Sequence, residues 1–94
     1  MLVVLLAGSF TAGAVPRMPV KNFDCQVLAK TGIHALVMVQ ADTAEEAMVV
    51  AQGTMSFDMQ DRRSPTLSVI ECVEFPGETF KDTNFQAYVE LLAR

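Results

Sequence analysis

Residue types that carry most enzyme chemistry are scarce in this chain. Among 94 residues there is one histidine, His34, there are two cysteines, and tryptophan is absent. A metal site needs several ligands at workable spacing, and none lies near His34 in the sequence. Motifs of the GxGxxG, GxxxxGKS, HExxH and GxSxG types are also absent. We therefore expect no enzyme, no catalytic residues, no metal and no cofactor.

Positive charge is scarce as well. Seven Lys and Arg residues stand against eleven Asp and Glu residues, so the formal net charge is −4 at pH 7. Such a chain repels nucleic acid phosphates, and Arg62-Arg63 is its one basic pair. Weak nucleic-acid binding by a sheet face is therefore the least favoured functional alternative. The dispersed acidic residues indicate a solvated surface.

Cysteine is too rare for a disulfide scaffold, and Cys25 and Cys72 lack CxxC spacing. Both lie in strand-like runs, where cysteine usually packs as a small hydrophobe. We expect two buried thiols. A Cys25–Cys72 disulfide between neighbouring strands and a reactive thiol are the alternatives.

Long hydrophobic runs are missing, since the apolar run at positions 2–7 is too short to cross a membrane. Residues 1–17 also contain Ala12-Gly13-Ala14, which has the form of a signal-peptidase site, but no Lys or Arg precedes the run. We favour a retained segment, either an extra edge strand or a cover, in a cytoplasmic protein. The alternative is a cleaved leader of a periplasmic or secreted protein. In both cases a single domain spans residues 18–94.

The clearest positive signal is a β-hairpin. Small apolar residues alternate with other residues in two successive runs, and the period of two is typical of strands. We place the turn at residues 31–33, which sets Val27 opposite Val37 and joins the two rows into one buried face. Gly32 supplies the positive φ that such loops need. The two rows are Phe23, Cys25, Val27 and Ala29, and Ala35, Val37, Val39 and Ala41.

A capped helix follows directly. Thr43 and Glu46 form a Thr-x-x-Glu capping box, and we expect Gly53 at the C′ position. The stripe predicted to be buried consists of small or flexible residues, which can lie close against a sheet. Its members are Ala44, Ala47, Met48 and Ala51.

Two further strands are predicted in the second half of the chain. Met55, Phe57 and Met59 alternate with polar residues in a weak third strand. A polar turn at 61–65 then leads to a fourth strand over residues 66–75. Alternation in that strand places Leu67, Val69, Val73 and Phe75 on one face and Ile70 and Cys72 on the other.

Glu71 conflicts with this alternation. It shares the parity of Val69 and Val73, so an unbroken strand would bury its carboxylate in the core. We expect a β-bulge near Glu71 to relieve the conflict.

A last helix begins at Thr83, with a capping box that reaches Gln86. Its predicted apolar stripe is Phe85, Tyr88, Val89 and Leu92. The element order is thus ββαββα, which predicts an α+β domain with a mainly antiparallel four-stranded sheet and helices on one face. Such a layout carries almost no functional information.

One surface feature points to binding. On the second face of the hairpin, large apolar residues stand among polar ones, and such a cluster needs a cover. We therefore predict a non-enzymatic protein–protein interaction module, a small acidic modulator of the kind found in mobile elements. Its partner is another protein or a second copy of itself, and self-association is expected. The predicted partner-binding residues are Leu28, His34, Leu36 and Met38.

Overall fold

The computed structural model describes residues 21–92 of the chain. The elements, in chain order, are β1 (Lys21–Ala29), β2 (His34–Ala41), α1 (Ala44–Gln52), β3 (Met55–Asp58), β4 (Arg63–Phe75) and α2 (Thr83–Glu90). The predicted ββαββα order and the α+β class are confirmed. All strand pairings are antiparallel, and β1 and β3 each pair with both β2 and β4. The expectations for residues 1–17 lie outside the described residues.

The hairpin of β1 and β2 has a three-residue loop, one position earlier than predicted. The backbone N–H of Ala29 donates to the carbonyl of Ile33 at 2.9 Å, so the loop comprises residues 30–32. Gly32 ends this loop with φ +87°, a left-handed conformation that favours glycine.

This change alters the strand register but not the faces. Val27 lies opposite Ala35 instead of Val37. Since the pairing shifts by two residues, every side chain keeps its predicted face. We call the two faces of the hairpin inner and outer. The inner face carries Phe23, Cys25, Val27, Ala35, Val37 and Val39, and the outer face carries Asp24, Gln26, Leu36 and Met38.

Helix α1 begins at the predicted cap. The hydroxyl of Thr43 accepts a hydrogen bond from the N–H of Glu46 at 3.1 Å. The Glu46 carboxylate in turn accepts one from the N–H of Asp42 at 2.9 Å, one residue before the expected position. Gly53 ends the helix as predicted, but with φ −98°, so it is not in the left-handed conformation.

The alanines of α1 close the inner face. Ala47 and Ala51 are fully buried and Ala44 is partly buried, whereas Met48 is exposed although the predicted stripe included it. Small side chains let the helix pack closely on the similarly small residues of the strands. The resulting core also contains Phe23, Cys25, Val27, Ala29, Ala35, Val37, Val39 and Ala41.

Strand β4 starts at Arg63, inside the predicted turn, and contains two bulges relative to β1. The extra residues are Ile70 and Leu67, so the bulge expected beside Glu71 is confirmed. The extra Ile70 turns Val69 to the inner core, while Val73 packs in the outer one. The prediction that Val69 and Val73 share a face is therefore wrong, because an inserted residue reverses the alternation.

The two cysteines lie directly opposite each other in β1 and β4. Cys25 and Cys72 form a disulfide, and neither cysteine of the chain is free. The expectation of two buried thiols is wrong, and the disulfide alternative is confirmed. The bulge at Ile70 lies beyond this pair, so it does not disturb their register.

Helix α2 packs on the outer face, so the two helices occupy different faces of the hairpin rather than one. Its N-cap is Asp82, one residue before the predicted Thr83, and the Asp82 carboxylate accepts from the N–H of Phe85 at 3.0 Å. The side chain of Gln86 accepts instead from the N–H of Phe80. The predicted apolar stripe of α2 is confirmed. The outer core comprises Leu36, Val73, Phe80, Phe85 and Val89, with Tyr88 and Leu92 packed against it.

Strand β3 buries its polar residues and exposes its apolar ones. Met55 and Phe57 are exposed, whereas Ser56 and Asp58 are buried. Ser56 is accommodated because its hydroxyl donates to the carbonyl of Ser64 at 2.7 Å. The apolar row of β3 therefore points outward.

Asp58 is buried as a satisfied carboxylate. Burial alone would raise its pKa, but its oxygens accept hydrogen bonds from the N–H groups of Arg62 and Gln60 and from the Thr31 hydroxyl. Together with the Arg62 guanidinium at 3.7 Å, these donors hold the pKa of Asp58 below its usual 3.8. The carboxylate thus ties the β3–β4 turn to the loop of the first hairpin.

Candidate protein-interaction surface

The structure divides the four predicted partner-binding residues. Leu36 is buried beneath α2, at 7% exposure, and its side chain is not offered to a partner. Leu28 and His34 are partly covered, whereas Met38 is 64% exposed. The cover that the outer face needed is provided in part by α2 itself. Of the predicted residues, Met38 is the one that stands clear of the fold.

Met38 belongs to a larger exposed surface, which we call the apolar band. Its other members are Met55, Phe57 and Phe75, all between 42% and 53% exposed. Leu36 pairs with Phe57, so the outer face of the hairpin continues onto Phe57 and Met55 of β3. Met38 lines one groove of about 480 Å³ together with Phe75, and another of about 370 Å³ together with Met55 and Phe57. The band is therefore continuous, with Met38 in the middle.

One end of the band is acidic. Beyond Phe75 lies a groove of about 430 Å³ between the end of β4 and α2, with Val73, Phe80 and Val89 among its apolar lining. Its lining also holds three carboxylates and no Lys or Arg among the described residues. We call this the acidic groove, and its carboxylates are those of Asp24, Glu78 and Glu90.

The other end of the band is basic. Arg63 pairs with Phe57 across β3 and β4 and is exposed. Within residues 21–92, its guanidinium has neither a hydrogen bond nor an ion pair. Arg62 differs, since its side chain bonds Gln60 at 2.7 Å and lies beside Asp58. Arg63 is thus the cation of this end that is available to an incoming group.

His34 takes part in a polar cluster that holds α2. The amide nitrogen of Gln26 lies 2.7 Å from Nδ1 of His34 and donates to the Asp82 carboxylate at 3.0 Å. The N–H of Phe85 and then the Gln26 amide lower the pKa of Asp82 below its usual 3.8. Glu71 is close by and accepts from the N–H of Lys81 at 2.9 Å. The cluster anchors the start of α2 to β1 and β2.

This cluster does not form a catalytic constellation. No Ser, Thr or Cys side chain is hydrogen-bonded to His34 in the described part of the chain, as a nucleophile in a triad would be. Between residues 21 and 92 no group of three or more His, Cys, Asp or Glu side chains could hold a metal ion. No helix in the same range is long and apolar enough to span a membrane.

Sequence reasoning missed Met55, Phe57 and Phe75 as surface residues, because alternation assigns apolar rows to the core. A usable signal was present in Asp58. After Met59 come Gln60, Asp61 and Arg62, a polar stretch that can satisfy a buried carboxylate through backbone N–H groups. That signal would have placed the Asp58 row inside and the Met55 row outside.

Comparison with known proteins adds no relative. No family model, no curated protein and no solved structure matches this chain.

Proposed function

We propose that this chain is a non-enzymatic protein-interaction module that binds its partner through the apolar band. The observation that carries the proposal is the continuity of Met38, Met55, Phe57 and Phe75, four large exposed side chains on one surface. Methionine side chains adapt to irregular partners, and both methionine and aromatic residues are enriched at protein interfaces. Contiguity matters here, because isolated exposed apolar residues are common on any surface.

A substitution at the centre of the band tests this proposal. Met38→Glu places a charge in the middle of the contact. It should abolish capture of the partner that is identified by cross-linking to the wild-type chain in the native host. Val49→Glu is the matched control, since Val49 is 76% exposed on α1 and lines neither groove of the band. Both variants should keep the circular dichroism spectrum of the wild type. Equal capture by wild type and Met38→Glu would contradict the proposal.

The disulfide favours a second proposal, which concerns the compartment. Structural disulfides persist in oxidising compartments and are rare in the cytosol. The Cys25–Cys72 bond therefore supports a periplasmic or secreted domain over the cytoplasmic location that we expected. Intact-mass measurement on protein from its native host, after alkylation, is the test. A chain that takes up two alkyl groups without prior reduction would contradict an oxidising location.

Nucleic-acid binding gains no support. Arg62 is engaged with Asp58 and Gln60, and the exposed band carries no cluster of cations. A low-salt gel-shift experiment in which the chain retards nucleic acid would support that alternative.

A further inference from the structure

The two ends of the apolar band carry opposite charge. The acidic groove beyond Phe75 holds three carboxylates, and Arg63 stands beside Phe57 at the other end. Met38 lies between them and borders both sides. An arrangement with plus and minus ends about a central apolar residue is complementary to a rotated copy of itself.

We propose that the partner is a second copy of this chain, and that two copies pair with a two-fold axis passing near Met38. This inference rests on the proposed function, because it names the occupant of the same band. A two-fold axis makes each contact twice, so a residue i that contacts j is matched by j contacting i. Arg63 of each copy then faces the acidic groove of the other, and the two Met38 side chains meet.

The physical chemistry of the surface favours this pairing. Met38, Met55, Phe57 and Phe75 would supply the apolar centre, and desolvation of such side chains is the main source of affinity in interfaces. The charges at the rim would fix the orientation, because a parallel arrangement sets like charges against each other. Two copies of net charge −4 repel at long range, so the local contact of Arg63 with the groove opposes that repulsion.

Charge reversal and its rescue provide the test, with sedimentation velocity on the full chain as the measurement. Wild type should sediment as a dimer. Arg63→Glu and Glu90→Arg should each raise the dimer Kd by about tenfold or more, since each sets like charges face to face. The double variant, Arg63→Glu with Glu90→Arg, should recover a Kd close to that of the wild type. Lys30→Glu changes the net charge by the same amount as Arg63→Glu at an exposed loop site that lines none of the three grooves, and it should leave the Kd unchanged.

The outcomes separate cleanly. A wild-type chain that stays monomeric contradicts the dimer. A dimer that persists in both single variants contradicts the pairing of Arg63 with the acidic groove, and so does a double variant that remains dissociated. Circular dichroism spectra of all variants verify the fold. If the wild type is monomeric while Met38→Glu still loses its captured partner, the protein-binding proposal stands and the second copy is excluded as its occupant.

Discussion

The two faces of the β1–β2 hairpin are closed in different ways. On the inner face the side chains other than Phe23 are small, and the alanines of α1 complete a core in which Cys25, Val27 and Ala47 are fully buried. On the outer face the side chains are large or polar, and α2 covers Leu36 while leaving Met38 exposed. The difference shows that α1 closes the inner face completely, whereas α2 closes only part of the outer face and leaves Met38 exposed.

The inner face should be the least tolerant of change. Val37 is 5% exposed among apolar neighbours, so Val37→Asp buries a carboxylate without a partner. We expect a loss of about 4 kcal/mol or more in the free energy of unfolding, enough to prevent folding of a domain of this size. A circular dichroism melt measures it, and a cooperative transition close to that of the wild type would show that the inner face is not the main core.

On the outer face, the buried Leu36 and the exposed Met38 should respond differently to substitution by alanine. Leu36→Ala removes buried methyl groups beneath α2 and should cost about 2 to 4 kcal/mol. Met38→Ala removes an exposed side chain and should change the free energy of unfolding of the isolated chain by less than about 0.5 kcal/mol. Urea denaturation of both variants gives the comparison. Equal losses would mean that the band is covered within the chain.

Acid should weaken both faces through two carboxylates. Hydrogen bonds hold the pKa values of Asp58 and Asp82 in the folded chain below the usual 3.8. At a pH between the folded and the unfolded pKa of either group, the unfolded chain therefore binds more protons than the folded chain. Their contribution to stability is fully present above the unfolded pKa and is lost as the pH falls through the folded one. The melting temperature should therefore decline below about pH 4.

Two amide variants resolve that acid response. Asp82→Asn should flatten the decline attributable to α2, and Asp58→Asn should flatten the part that comes from the β3–β4 turn. Thermal melts between about pH 2 and pH 7 measure both. An unchanged slope in both variants would mean that other carboxylates dominate the acid response.

A modest loss of stability is expected at the cap of α1. Thr43 accepts from the N–H of Glu46, so Thr43→Ala should cost about 1 kcal/mol. Thr43→Ser keeps the acceptor and should cost less. A thermal melt distinguishes the two, and equal losses would show that the hydroxyl bond contributes little.

Local features of the fold could be predicted from the sequence. The hairpin alternation, the Thr43 cap and the stripe of α2 depend on residues a few positions apart, and each was correct to within one residue at the loop or cap. The bulge beside Glu71 was also predictable, because an unbroken strand would bury the Glu71 carboxylate in an apolar row.

Long-range features could not be predicted in the same way. The period of two predicts that Leu36 and Met38 share a face. It does not predict that α2 covers Leu36 and leaves Met38 uncovered. Alternation also fails across Ile70, where an inserted residue sends Val69 inward. Of the four residues predicted to bind a partner, Met38 lies in the proposed band, whereas Phe57 and Phe75 come to the surface through pairings between distant segments.

The two bulges of β4 mark the positions at which this strand can change in length. The extra residue Ile70 reverses the side-chain alternation along β4, and the extra residue Leu67 reverses it again. Each extra residue is unpaired, so removing Ile70, Leu67 or both would leave the other β4 residues opposite the same β1 residues. Single-residue deletions at these two positions are therefore expected to keep β4 in register with β1.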